Sequence, residues 1–115
     1  MFVGVARYVL QIPGSQSLKD RRRVVKSFKD RVAARLKASV AEIGELDVWQ
    51  VATVAVAVVS GDRGRCSEAL SHATSIAGSL SDALLADVRT EVLSFGWGGE
   101  NLRGGIESAL DGSEP

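Results

Sequence analysis

Residues 17–37 read SLKDRRRVVKSFKDRVAARLK, and the spacing of apolar and basic side chains in this stretch decides how the rest of the chain is read. At about 100° per residue, Leu18, Val24, Val25, Phe28, Val32 and Leu36 gather on one side, and most of the basic residues spread over the other. Nine of these 21 residues are Lys or Arg against two acids, Asp20 and Asp30, a local charge of +7 in a chain whose net charge is zero. The pattern predicts an amphipathic helix with a cationic outer face. Ser17 and Asp20 have capping-box spacing, the serine accepting from first-turn amides while the aspartate opposes the positive helix end.

Working outward, residues 2–12 predict a strand that Pro13-Gly14 stops. Phe2, Gly4, Ala6, Tyr8, Leu10 and Ile12 share one face, and Val3, Val5, Arg7, Val9 and Gln11 share the other. Both faces are mostly apolar, as in a central strand. Beyond the helix, residues 38–43 predict a short strand, and residues 51–60, VATVAVAVVS, predict an interior one. Asp62 is placed to cap a second helix over 63–80, with Cys66, Ala69, Leu70, Ala73, Ile76, Ala77 and Leu80 on its apolar stripe. Residues 85–95 complete the set with a fourth strand. The order β-α-β-β-α-β is the split βαβ arrangement of a ferredoxin-like α+β sandwich, a four-stranded antiparallel sheet with both helices on one face. Residues 1–95 are expected to form this domain. Residues 96–115 are expected to be a Gly-rich tail, mobile or docked at the periphery, with a short helix at 106–110.

The chemical inventory is thin. The chain has one histidine, His72, and one cysteine, Cys66, at a spacing that fits no metal site, and Cys66 falls in an apolar stripe. No catalytic residues, metal ligands or cofactor motif emerge, and a non-enzymatic role is expected. The Gly-rich segment lacks the spacing of a phosphate loop. An acyl-phosphate hydrolase on this topology would need an anion-binding arginine in the loop after the first strand, and Pro13-Gly14-Ser15-Gln16 has none. An RNA-recognition domain would stack bases on aromatics of its central strands. Residues 51–60 have no aromatic, and Tyr8 is expected to face the helices. No apolar run is long enough to span a bilayer, the N-terminal run has no cleavage-site pattern, and the single cysteine forms no internal disulfide. The expected location is the cytoplasm.

Charge is the feature left over. Residues 17–37 carry +7 while residues 82–115 carry −5. Lys19, Arg22, Arg23, Lys26, Lys29 and Arg35 are the candidates for phosphate contact, which gives affinity for RNA without sequence readout. On the sheet face left open by the helices, Val3, Val5, Val9 and Val59 head an apolar patch, expected to mediate homo-oligomerisation. The alternative is a structural oligomer or interaction module whose basic helix pairs with acidic surfaces.

Three features carry a family resemblance: Ser17-Leu18-Lys19, the cluster Arg21-Arg22-Arg23, and Asp47-Val48-Trp49-Gln50 ahead of a valine-rich strand. With the strand-and-turn before them, they resemble the YlxP-like family, a bacterial domain of unknown function, over roughly residues 2–95. Where relatives often carry Arg-Ala after Trp-Gln, this chain has Val51-Ala52. The resemblance implies a ferredoxin-like fold and a bacterial cytoplasmic protein. It also implies, by association, a connection to RNA or the ribosome, since members are often encoded near transcription-termination, translation-initiation and ribosome-maturation genes.

Overall fold

The computed structural model describes residues 1–44 and 49–96. In chain order these form β1 (Phe2–Gln11), α1 (Leu18–Arg35), β2 (Ser39–Ile43), β3 (Val51–Ser60), α2 (Arg63–Gly78) and β4 (Leu84–Ser94). The strands make one four-stranded sheet in the order β2-β3-β1-β4, and every pairing is antiparallel. With two helices in the connections, this is the ferredoxin-like α+β fold that the element order predicts. The two apolar-on-both-faces strands, β1 and β3, are the central pair. The tail beyond Gly96, including the helix expected at 106–110, lies outside the described residues.

Period-two alternation sets which face meets the helices. Ala6, Tyr8 and Leu10 of β1 and Ala52, Val54, Val56 and Val58 of β3 are buried, and their odd-numbered neighbours lie on the other face. Val24, Val25, Phe28 and Val32 of α1 and Cys66, Leu70, Ala73, Ile76 and Ala77 of α2 close the core from above. The Val, Leu, Ile and Phe side chains among these contribute about 1.5–3 kcal/mol each when fully buried, and the alanines less. At Gly4, a Cβ would come within 2.9 Å of Val58 Cγ2 and 3.2 Å of Cys66 Cβ, so glycine is what lets α2 approach the sheet there.

The capping arrangement around α1 forms with a one-residue displacement. Ser17 is extended, and its hydroxyl accepts from the Asp20 N–H at 3.2 Å, while the Asp20 carboxylate accepts from the Gln16 N–H at 3.0 Å rather than from Ser17. α1 stops at Arg35, two residues before the expected end. Leu36 is extended and its N–H closes the last turn on the Val32 carbonyl at 2.8 Å. α2 stops at Gly78 rather than at 80, yet Leu80 is still buried and seals the end of the core. β4 begins one residue earlier than expected, and its register with β1 shifts between Val9 and Leu10, an irregularity that composition does not signal.

Candidate nucleic-acid interface

The outer face of α1 is the most strongly charged surface among the elements. Lys19, Arg22, Arg23 and Lys26 are exposed and Lys29 is partly so. At 100° per residue they occupy about a third of the helix circumference, opposite Phe28 and Val32. Lys26 pairs with Asp30 one turn on, at 2.7 Å, with both side chains mostly in solvent. Exposed pairs of this kind add a few tenths of a kcal/mol and are screened by salt. Among the described residues, Lys19, Arg22, Arg23 and Lys29 make no ion pair, although Asp20 and Asp82 line the same groove as Arg23. Arg35 is exposed too, but it lies about 160° round the helix from Lys19 and is not part of the same stripe.

Two further arginines of the helix do something else. Arg21 is 1% exposed: its Nε donates to the Val51 carbonyl at 2.9 Å and its guanidinium pairs with the Glu42 carboxylate. It clamps α1 to β2 and to the start of β3. Arg31 donates to the Ser79 hydroxyl at 2.8 Å, which ties α1 to the end of α2. The basic stretch is therefore divided by the fold into an outward stripe and two structural anchors.

Below the first turn of α1, Pro13, Gly14, Ser15, Arg23, Ser81 and Leu84 help line a groove of about 470 Å³. The loop after β1, where an acyl-phosphate hydrolase of this topology would need its anion-binding arginine, forms part of the groove's wall. Arg23 reaches it from the helix, but Asp20 and Asp82 line it as well. Two carboxylates against one guanidinium make it a poor phosphate cradle.

Among the described residues, the central strands β1 and β3 present no aromatic on the open face for base stacking; the exposed aromatics are Phe95, just past β4, and Trp49, ahead of β3. Tyr8 is fully buried on the helix side, with its hydroxyl 2.8 Å from Thr74 Oγ1 and its ring edge-on to Phe28 at 5.8 Å. Burial pushes the phenol pKa up, against a smaller opposing effect of the Thr74 hydrogen bond. On the open face, Val3, Val5 and Val9 are half-buried by their neighbours and Val59 is 65% exposed. Arg7, Asp87, Arg89 and Glu91 run beside them along β1 and β4. Cys66 is buried, its Sγ 3.6 Å from the Phe2 carbonyl oxygen. No group of three or more potential metal ligands comes together among the described residues, and no helix there is long and apolar enough to cross a membrane.

The class defined by these features is a four-stranded ferredoxin-like sandwich with a cationic helix on its helical layer. Residues 3–90 match the family described as Protein of unknown function (DUF503), and the chain belongs to that family. It is 30% identical over 89 residues to the Bacillus subtilis (strain 168) protein described as Uncharacterized protein YlxP, covering 77% of this chain and 97% of that one. This is the relationship that the SLK, triple-arginine and D-x-W-Q features imply. Among solved structures, a de novo designed protein, Foldit4, is similar in fold, with a TM-score of 0.50 at 13% identity, covering 82% of this chain and 98% of that one.

Proposed function

We propose that this protein is a bacterial cytoplasmic accessory module without catalytic activity that contacts RNA, alone or in a ribosomal particle, through the outer face of α1. One observation carries the reading: Lys19, Arg22, Arg23 and Lys29 stand on one outward stripe without an acidic partner among the described residues, joined by Lys26. A stripe of five cations presented by a rigid helix is suited to phosphates, whose binding is driven by counterion release. The mixed charge of the groove below α1 and the burial of Tyr8 argue against phosphoryl chemistry and base stacking respectively.

The test is binding of single-stranded RNA measured over a salt series. Contact by about five phosphates predicts a slope of log K on log salt of about −3.5. A slope near zero, or no binding at low salt, would sink the reading.

The rival reading has its own support in the charge of −5 carried by residues 82–115. There the basic helix pairs with acidic surfaces of neighbouring copies, with the open face around Val3, Val5, Val9 and Val59 as the oligomer contact. Reversing charge at Arg22, Arg23 and Lys26 separates the two. Loss of RNA binding with assembly size unchanged supports RNA contact, and dissociation with RNA binding unchanged supports the rival.

A further inference from the structure

The two edges of the sheet are unequal. β2 has 5 residues and β4 has 11. The Phe95 N–H donates to the Met1 carbonyl at 2.8 Å, so Phe95 turns its backbone toward β1. By the two-residue alternation of an antiparallel ladder, Leu93, Glu91 and Arg89 do the same, while Val88, Thr90 and Val92 send N–H and C=O outward. Arg63 Nη1, 3.4 Å from the Val92 carbonyl oxygen, reaches that group from outside the ladder. Edges are normally kept from pairing by shortness, lysine, proline or a charge aimed into the layer. β2 is short. From 87 to 94, β4 has neither lysine nor proline, and its helix-side residues are Val88, Thr90 and Val92. α2 leaves them incompletely covered: Val88 is 38% exposed, and a groove of about 460 Å³ runs between α2 and β4.

We propose that the outer edge of β4 pairs with β4 of a second copy of this chain, antiparallel about a two-fold axis at Thr90. Two sheets then join into one of eight strands. The proposal does not depend on RNA binding. Charge fixes both the occupant and the register. An axis at Thr90 sets Arg89 opposite Glu91 of the other copy, twice by symmetry, and sets Val88 opposite Val92 twice. Within one chain Asp87 is taken by Arg7 at 3.1 Å, whereas Arg89 and Glu91 make no ion pair among the described residues. An axis at Arg89 would oppose arginine to arginine and Asp87 to Glu91. An axis at Val88 would draw in the irregular segment between Leu85 and Asp87, where the β1 register shifts. The axis at Thr90 needs only the regular part of the strand, and its outward groups meet as a hydrogen-bonded pair. In that pairing the Val92 carbonyl accepts from Val88 of the other copy, so Arg63, held to it at only 3.4 Å, shares the carbonyl's second lone pair or swings aside.

Sedimentation equilibrium of the full chain, from micromolar to about one millimolar, tests this. The expected result is a dimer that Arg89→Glu weakens about tenfold or more, because both symmetric pairs become repulsive. The double variant Arg89→Glu/Glu91→Arg is expected to restore it. Both positions are exposed, so unchanged circular dichroism is expected to accompany the loss. Thr90→Cys is expected to form an interchain disulfide under mild oxidation, since Cα atoms of such a pair stand about 5.5 Å apart. Cys66 is 1% exposed and does not compete. Four results overturn the proposal: a chain that stays monomeric throughout, as it would if the edge served a strand of another protein; a dimer indifferent to Arg89→Glu; no recovery in the double variant; or a dimer that Val59→Asp on the open face dissociates while Arg89→Glu does not.

Discussion

Arg21 shows how one side chain can leave a charge cluster and become part of the frame. It sits four residues before Val25 and seven before Phe28, on the buried side of α1, and its partners Val51 and Glu42 come from β3 and β2. The helical spacing of Arg21 is legible in the sequence; the carboxylate that receives it is not, because that pairing exists only once β2 lies beside β3. Removing one member of a buried pair leaves the other charge uncompensated, which costs about 3–5 kcal/mol in well-buried cases. The Glu42 side chain is 18% exposed, so Glu42→Gln is expected to cost about 2–3 kcal/mol in urea denaturation. Replacing the pair together, with Arg21→Met and Glu42→Leu, is expected to cost less than Glu42→Gln alone. Equal losses would show that the two residues do not act as a pair.

At the scale of elements, most of the fold was legible because each strand carries its own alternation. VATVAVAVVS and residues 2–12 are apolar on both faces, which is the property of central strands, and the sheet places them centrally. The helix ends and the β4 irregularity were not legible, since they depend on where Leu36 and Leu80 find contacts and on how β4 lies against β1. The same holds for the basic helix. Composition makes its six candidate cations alike, while helix geometry groups five and leaves Arg35 apart. Lys26 with Asp30 follows from one-turn spacing; Arg31 with Ser79 spans 48 residues and follows from nothing local. This separation gives a sharper expectation than charge alone. Arg23→Ala should reduce the magnitude of the RNA salt slope by about 0.7, the loss of one phosphate contact, while Arg35→Ala should leave it unchanged. Equal effects from both would mean that RNA follows total charge rather than the stripe.

At the scale of the molecule, the two proposals bear on each other through the placement of the helices. α1 packs over β3 and β2, whereas α2 packs over β1, β3 and β4, so the basic stripe lies on the side of the sheet away from the β4 edge. Pairing two β4 strands about an axis through the sheet keeps both α1 helices on one layer. It sets them five to six strand spacings apart, about 25–30 Å at ~4.8 Å per strand. An RNA long enough to reach both stripes then binds the second intramolecularly, and its affinity gains from effective concentration, while a short oligonucleotide gains nothing. Arg89→Glu, far from α1, is therefore expected to weaken binding of the long RNA about tenfold or more and to leave the short one unchanged, both measured at a protein concentration where the wild type is dimeric. A loss shared equally by both RNAs would place Arg89 in direct contact with phosphate. No loss in either, in a variant shown to be monomeric, would mean that each sandwich engages RNA alone and that the eight-stranded sheet serves some purpose other than bridging.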